Sequence, residues 1–175
     1  SQFLSDGMPI RLVDLTHEET KKIKTFNLLT SKPVLYACNV SEDDAFSGNN
    51  YTKNICAKAK TENCDAIIIS GSIESEIAIL EETEKKEFIK DLNLEESGLN
   101  RLIRTGFNLL DLITFFTVGP KETRAWTIKN NSTAPEAAGI IHTDFQKGFI
   151  RAETISFDDY LNFKSEQAAK DAGRM

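Results

Sequence analysis

The sequence has few of the residues on which metal centres and phosphate loops are built. Its two histidines, His17 and His142, are far apart, so an HExxH motif is impossible and the Cys/His clustering of a zinc site is absent. None of the nine glycines is followed by lysine, so these residues contain no GxxxxGK[ST] phosphate loop. The sequence therefore excludes zinc chemistry and P-loop phosphate binding by the chain itself.

Cysteine and long apolar runs are also scarce. The three cysteines form no CxxC pair, which favours reduced thiols in a cytoplasm-like compartment. No apolar run approaches the roughly 18 residues that span a bilayer, and the first residues lack the features of a secretory signal. The net charge of -6 argues against nonspecific polyanion binding by the whole chain. We therefore expect a cytoplasmic protein without a membrane or DNA partner.

Two short apolar runs predict a parallel sheet in the first part of the chain. Residues 33–38 and 65–70 fit strands that are buried on both faces, and residues 51–63 between them predict a helix. This spacing is typical of a βαβ unit with adjacent parallel strands. The acidic run from Glu74 to Glu96, interleaved with lysines, is interpreted as a solvated helix face and not as a metal site. Further helices are predicted over residues 16–30, 73–81 and 83–92 and after Ser97.

The pattern changes near residue 111, where we predict a domain boundary. Two β-rich runs predict a hairpin, and Thr133 with Glu136 forms a capping box that begins a short helix. The predicted order is a ββαβ module that resembles the opening of a β-grasp fold, with strands at residues 114–118, 124–128 and 149–155 and helices through residue 141, at 158–163 and in the tail. The fold class is therefore α/β. Two parallel strands make too small a sheet to bury their helices, so we expect a piece of a longer protein.

Four segments carry a resemblance to a known family. Residues 32–42, KPVLYACNVSE, resemble the base-recognition segment of the YchF/Obg-like ATPases. Residues 134–152, APEAAGIIHTDFQKGFIRA, resemble the TGS domain of that family, and the match extends to FFTVG at 115–119 and ETRAWTI at 122–128. The resemblance covers nearly the whole chain.

The resemblance implies a layout and an activity. Family members carry a P-loop G domain with an inserted helical hairpin, followed by a β-grasp-like TGS domain. Residues 1–110 would be the C-terminal part of the G domain, and residues 111–175 most of the TGS domain without its closing strands. The intact protein would bind and hydrolyse ATP, and GTP less well, with Mg²⁺, and would associate with ribosomes. The phosphate loop, the switch regions and the family's catalytic histidine are missing here, so we expect this chain alone to be inactive and to bind nucleotide weakly.

The candidate base site begins with Asn39-Val40-Ser41-Glu42, which stands where classical GTPases have NKxD after a parallel strand. Val40 leaves an apolar contact for a purine face. Glu42 is one methylene longer than the aspartate that reads guanine, and the resemblance implies that this change favours adenine, with Asn39 meeting the exocyclic amine and N7. Ser70-Gly71-Ser72 follows the next strand, where backbone N–H groups can meet the base. The plain alternatives are a polar loop and a strand-to-helix turn with a serine cap.

A second candidate surface lies in residues 111–175, whose charges nearly balance, so any RNA contact must be a local patch. A lone histidine is more often structural than catalytic, and scattered surface charge is an equally good explanation of the basic residues. A different class of function is also open: a stand-alone TGS-type module that binds RNA or the ribosome without any NTPase role. The candidate RNA or partner residues are Arg124, Trp126, His142, Lys147, Phe149 and Arg151.

Overall fold

The structure, a computed structural model, describes residues 2–175 and contains two separate two-stranded sheets. One unit extends to Leu112 and the other covers Ile113–Met175. Short 3-10 turns lie at Ile10–Leu12, Leu29–Ser31 and Glu42–Asp44. The elements of the first unit are α1 (Gln2–Ser5), α2 (His17–Thr25), β1 (Leu35–Asn39), α3 (Asn50–Thr61), β2 (Asp65–Ile69), α4 (Gly71–Ile79), α5 (Glu82–Asp91) and α6 (Gly98–Leu109).

The predicted βαβ unit is confirmed. Strands β1 and β2 are parallel, with a register that runs from Leu35 opposite Asp65 to Asn39 opposite Ile69. Helix α3 connects them and buries Ala59 almost completely, while Ile67 of β2 is buried as well. Because the strands are parallel, their carboxyl ends, Asn39 and Ile69, lie side by side at one edge of the sheet.

Helix starts follow the capping residues of the sequence. The predicted boxes at Thr16 and Thr133 are both present, each with a reciprocal bond to a glutamate three residues later. Ser97 accepts a hydrogen bond from the third residue of α6, as expected of an N-cap. Asn49 caps α3 in the same way, a signal that the sequence prediction did not use.

Helix α2 ends earlier than predicted. It stops at Thr25 rather than near residue 30, because Asn27 has a φ of 53° and Leu28 is extended. Asparagine tolerates this left-handed conformation better than most residues, so it ends helices much as glycine does. The following 3-10 turn is a separate element.

The core of the first unit is small and lies under α4 and α5. Ala45, Ile73 and Ile77 form a buried cluster, and three half-buried apolar side chains of α5 and its C-terminal end pack against it. These side chains are Phe88, Ile89 and Leu92. The cluster fixes α4 and the loop after β1 relative to each other, and both of these elements carry predicted site residues.

The second unit begins with the predicted hairpin. The turn is closed by a hydrogen bond of 3.0 Å from Gly119 N to Glu122 O. Ile128 is the buried residue of its second strand. The elements are β3 (Leu112–Val118), β4 (Thr123–Lys129), α7 (Ala134–Ile141), α8 (Thr143–Lys147), α9 (Phe157–Phe163) and α10 (Glu166–Asp171).

The predicted third strand at residues 149–155 is wrong. These residues adopt no strand, and Ile150 is 91% exposed. The sheet of β3 and β4 has two strands within the described part of the chain, so the segment has no neighbour with which to pair its N–H and C=O groups. Residues with β propensity therefore remain irregular here, and the predicted ββαβ order is replaced by a hairpin followed by helices.

The polar tail forms the expected helices with a break between them. Lys164, with a φ of 59°, ends α9, and Ser165 caps α10. Across residues 2–175, every helix is too short or too polar to be a membrane span.

Candidate nucleotide-base site

Asn39 and Gly71 bring the two predicted base-contacting segments together. The Asn39 side-chain oxygen accepts a hydrogen bond of 3.0 Å from the Gly71 backbone N–H. The Val40 N–H donates to Ile69 O at 2.9 Å, which continues the ladder one step beyond β1. Residues 32 positions apart in the sequence thus lie together at the carboxyl end of a parallel sheet, where α/β proteins bind ligands. We call this part of the site, formed by Asn39, Val40 and the Ser70-Gly71-Ser72 loop, the base edge.

The Asn39 amide keeps donor capacity at this edge. Its oxygen holds Gly71, and within residues 2–175 its nitrogen has no hydrogen-bond partner. An oxygen acceptor beside an NH₂ donor matches the N6 amine and N7 of adenine, the pairing that asparagine makes with this base. Because a carbonyl oxygen has two lone pairs, the bond to Gly71 leaves one for a ligand.

Val40 and Glu42 lie on the loop that leaves β1. Val40 is half-buried, whereas Glu42 is exposed and begins a 3-10 turn. The loop is braced by Asp44, whose carboxylate accepts from Ser41 Oγ at 3.3 Å and from Asn49 Nδ2 at 2.8 Å. Sequence reasoning missed Asp44, although an Asp-x₄-Asn pair flanking a loop is a signal for such a brace.

Ser70 and Ser72 differ in exposure although their hydroxyls are 3.3 Å apart. Ser70 is only 3% exposed, whereas Ser72 is exposed. The predicted serine cap is wrong in one respect, because Ser70 occupies the N-cap position but its side chain accepts no bond from the helix. The first N–H of α4, that of Gly71, is bonded to Asn39 instead.

Two residues that the sequence prediction did not assign to the site connect α6 to the elements that carry the site. Glu74 connects it to α4, and Arg101 connects it to β2. Glu74, interpreted above as part of a solvated face, accepts hydrogen bonds from Gly98 N at 2.7 Å and Leu99 N at 3.1 Å. Arg101 of α6 donates to Ile68 O at 2.9 Å. The solvated interpretation is therefore wrong for Glu74. Nothing in the acidic run distinguishes it from its neighbours by sequence.

An open cleft of about 310 Å³ lies along β1 beside Asn39. Its wall is more apolar than polar and includes Val40 and Tyr51, but neither Glu42 nor the Ser70-Gly71-Ser72 loop. Cys38 also lines it, and burial, together with the nearby Cys56, raises the pKa of the Cys38 thiol. A thiol with a raised pKa is a poor nucleophile at neutral pH, so the cleft offers contact surface rather than covalent chemistry.

The opposite end of the sheet carries an ionic network. Glu62, at the end of α3, accepts a hydrogen bond of 2.7 Å from Arg11 and one of 2.9 Å from the Tyr36 hydroxyl. These two bonds, that from Arg11 first, lower the pKa of the Glu62 carboxyl, while the bond to Glu62 raises the pKa of Tyr36. The network ties the entry segment to the βαβ unit and lies away from the base edge.

The second candidate surface is only partly assembled. The Arg124 guanidinium lies 4.2 Å from the centre of the Trp126 ring, and Trp126 Nε1 donates to Thr117 Oγ1 at 2.9 Å. Both residues are on β4 two positions apart, so their side chains share one face of the hairpin. Aromatic rings and guanidinium planes are groups on which RNA-binding proteins stack unpaired bases.

The remaining predicted members of this surface are not on the sheet. Lys147 ends α8, while Phe149 and Arg151 lie in the irregular segment after it. The predicted shared sheet face is therefore wrong for these three residues. His142 is the N-cap of α8 and accepts a bond of 3.2 Å from Asp144 N, which gives it a structural role.

Metal donors are not gathered anywhere in residues 2–175. No group of three or more His, Cys, Asp and Glu side chains in this range could hold an ion. The base edge offers amide, hydroxyl and backbone groups instead, which suit a heterocyclic base and not a cation.

Comparison with known proteins adds three findings. Residues 112–175 match the family model described as "YchF-GTPase_C: Protein of unknown function (DUF933)". The chain is 50% identical over 171 residues to the "Ribosome-binding ATPase YchF" of Pasteurella multocida, covering 98% of this chain and 47% of that protein. It is 48% identical over 169 residues to the protein of that name from Bacillus subtilis, covering 95% and 46%.

A solved structure agrees with these matches. The YchF GTPase of Schizosaccharomyces pombe superposes with a TM-score of 0.88 at 38% identity, covering 99% of this chain and 47% of that one. The chain thus spans about half the length of the relatives it matches. Sequence and structure agree: residues 112–175 match the YchF C-terminal model, and nearly the whole chain is similar to about half of each of these YchF proteins.

Proposed function

We propose that this chain supplies the base-recognition edge and a C-terminal interaction module of a ribosome-binding ATPase. The proposal is supported by relatives named "Ribosome-binding ATPase YchF", which align with nearly every residue of the chain. In this proposal the chain forms the second half of a longer cytoplasmic protein whose first half binds the phosphates.

The observation that carries the proposal is the hydrogen bond between Asn39 and Gly71. It holds together two loops that follow neighbouring parallel strands, at the edge where such sheets bind ligands. Adenine would meet the Asn39 amide through N6 and N7, with Val40 against its face and backbone N–H groups of the Ser70-Gly71-Ser72 loop nearby.

The preference for ATP over GTP rests on Glu42. An aspartate at this place in GTPases accepts from two guanine N–H groups, and the extra methylene of Glu42 displaces the carboxylate. Glu42 is exposed and, within the described residues, its side-chain carboxylate has no hydrogen-bond partner. It is therefore free to turn away from a base that offers no matching donors.

Hydrolysis needs groups that this chain does not contain. No glycine-lysine pair is present to cradle phosphate, and residues 2–175 contain no group of three or more His, Cys, Asp and Glu side chains that could hold an ion. We expect the purified chain to release no phosphate from ATP above background when Mg²⁺ is added. Turnover by the chain alone would contradict this expectation.

The second unit would serve as the interaction module. A hairpin followed by a helix fits the opening of a β-grasp fold such as a TGS domain, and the Arg124–Trp126 pair is the feature that favours RNA or the ribosome as partner. The same observation supports the second candidate, a binding module without an NTPase role. Nucleotide binding separates the two candidates.

The test is titration calorimetry on the full-length protein with ATP and GTP. Asn39→Ala should weaken ATP binding by about 1–3 kcal/mol, because the adenine groups that binding removes from water lose their hydrogen-bond partner and the Gly71 loop is released. Asn54→Ala is the matched control, since Asn54 is exposed on α3. Equal ATP affinity in the wild type and the Asn39 variant would remove Asn39 from the site, and a wild type that binds neither nucleotide would favour the module without NTPase function.

A further inference from the structure

Glu74 caps the first turn of a helix to which it does not belong. Its two carboxylate oxygens accept from Gly98 N at 2.7 Å and Leu99 N at 3.1 Å. The next two N–H groups of α6 are bonded to the side chain and the carbonyl of Ser97. The first three amides of α6, those of Gly98, Leu99 and Asn100, have no partner within the helix and are thus satisfied. The negative charge also lies at the positive end of the helix dipole.

The start of α6 fits tightly between Glu74 and the end of β2. A Cβ atom added at Gly98 would lie 2.7 Å from Ile69 Cγ1 and 2.9 Å from Glu74 Oε1. Such distances are shorter than van der Waals contact, so only glycine allows this approach. The first turn of α6 is therefore fixed against the last residue of β2, next to the Ser70-Gly71-Ser72 loop.

Arg101, one turn further along α6, connects this helix to β2. Its guanidinium donates to Ile68 O at 2.9 Å, two residues before Ser70. Its Nε is buried and, in the described part of the chain, has no hydrogen-bond partner. A buried donor without a partner costs free energy, and the bond to Ile68 O offsets part of that cost while it joins α6 to β2.

We propose that Glu74 and Arg101 are positioning residues that set base selectivity from outside the site, an inference that rests on the proposed function. The bond from Gly71 to Asn39 ties the first residue of α4 to the end of β1, and the buried cluster of Ala45, Ile73 and Ile77 packs α4 against the loop after β1. Glu74 fixes α4 one turn later, and Arg101 fixes the strand that precedes the loop. The backbone N–H groups of the Ser70-Gly71-Ser72 loop that face the purine therefore keep one orientation. This fixed orientation distinguishes adenine from guanine.

The test compares Glu74→Gln with Glu76→Gln in the full-length protein. Glu76 is exposed on the same helix and provides the matched control. Glu74→Gln keeps one acceptor oxygen but loses the charge and one N–H bond, so the ratio of the GTP and ATP dissociation constants should fall by about 3- to 10-fold, within the range for residues that act on a site without touching it. The amide of Gly71 should also exchange with solvent faster, by about 10-fold, in the nucleotide-free protein.

Arg101→Met is the second variant, because it removes the donor while keeping the apolar stem. It should change the selectivity ratio in the same direction as Glu74→Gln. An unchanged ratio and unchanged Gly71 exchange in both variants, even with a lowered melting temperature, would overturn the positioning role and leave a purely structural one. A wild type that binds no nucleotide would instead overturn the proposed function, and the exchange rates would still decide whether Glu74 and Arg101 hold the loop.

Discussion

The two compact units differ in the sequence distance over which their side-chain hydrogen bonds run. In the first unit, hydrogen bonds join Arg11 to Glu62 across 51 positions and Arg101 to Ile68 across 33. In the second, Trp126 bonds to Thr117 nine positions away, and caps such as that of Ser156 on Asp159 are local. The first unit is therefore tied together through remote hydrogen bonds. The hydrogen bonds named for the second act within single turns and one hairpin, and its remote parts meet through packing, as in the stacked rings of Phe116 and Phe157.

This difference determines how far a substitution is felt. Residues that share one network are energetically coupled, while well-separated sites behave additively. A change at the start of α6 should therefore reach the base edge through Glu74 and Ile69. A comparable change in the second unit should remain within its own helix or turn.

The largest expected effect is that of Gly98→Ala. The new methyl group would lie 2.7 Å from Ile69 Cγ1, inside the packed junction of α6 with β2. Overpacking of this kind costs about 1–3 kcal/mol, so the free energy of unfolding should fall by that amount. Urea unfolding followed by circular dichroism measures it.

Two other glycines provide matched controls. Gly106 is also in α6 but has nothing within 4 Å of an added Cβ, so Gly106→Ala should stabilise by about 0.5–1 kcal/mol through helix propensity. In the second unit, an added Cβ at Gly139 meets the exposed Gln146 side chain, whose carboxamide end can turn away. The Gln146 Cβ, 3.1 Å away, must shift slightly, so the loss at Gly139 should be smaller than that at Gly98. Equal losses at Gly98 and Gly139 would contradict the contrast between the units.

Much of the first unit could be predicted because its signals are local and its topology leaves few choices. Apolar runs and capping residues indicate β1, β2 and the helix starts, and parallel pairing then places Asn39 beside Gly71. The role of Glu74 could not be predicted in this way. Its partners are 24 and 25 positions away, and the residue looks like any other member of an acidic helix face.

In the second unit, a local signal in the sequence predicts an element that does not form. Residues 149–155 have the composition of a strand, yet a strand also needs a partner, and composition does not report one. Without that strand, Phe149 and Arg151 do not share a sheet face with Trp126. Of the candidate RNA or partner residues, Arg124 and Trp126 lie on β4, whereas the others lie off the sheet.

The second largest expected effect is a loss of stability on acidification, and it compares two glutamates, Glu62 and Glu136. Hydrogen bonds from Arg11 and then Tyr36 lower the pKa of Glu62, and bonds from the backbone and side chain of Thr133 lower that of Glu136. A carboxyl whose pKa is lowered on folding stabilises the protein fully above its unfolded value, near 4.5, and loses this as pH falls through the folded value. Both contributions should therefore disappear on acidification below about pH 4.5.

The two glutamates should differ in how much of the chain loses its structure when each is protonated. Protonation of Glu62 should release the entry segment around Arg11, whereas protonation of Glu136 should fray only the first turn of α7. Amide exchange measured at pH 7 and pH 3, and corrected for intrinsic rates, reports both. Glu62→Gln should reproduce the release of the entry segment at pH 7, and an entry segment that stays protected in that variant would rule out the network as its anchor.

The smallest expected effect on stability is that of Arg124→Gln. Arg124 is exposed and contacts the Trp126 ring at 4.2 Å, an arrangement that contributes about 0.5–1 kcal/mol at exposed sites. The loss should be confined to the hairpin because the pair lies on a single strand. Thermal unfolding of the variant beside Lys121→Gln, a change in the turn of the same hairpin, measures it.

The same substitution tests whether the hairpin contacts RNA, where a small loss of stability should accompany a larger loss of binding. The indole ring holds the guanidinium in place, so Arg124 is preorganised for a phosphate or a stacked base in a way that a free side chain is not. In full-length protein, Arg124→Gln should reduce ribosome co-sedimentation and lower its salt dependence by about one phosphate contact, while ATP affinity stays unchanged. Lys121→Gln should have less effect.

Because Lys147 and Arg151 lie off the sheet, their double replacement by glutamine should act independently of Arg124. Equal co-sedimentation of wild type and Arg124→Gln at two salt concentrations would move the partner surface away from the hairpin.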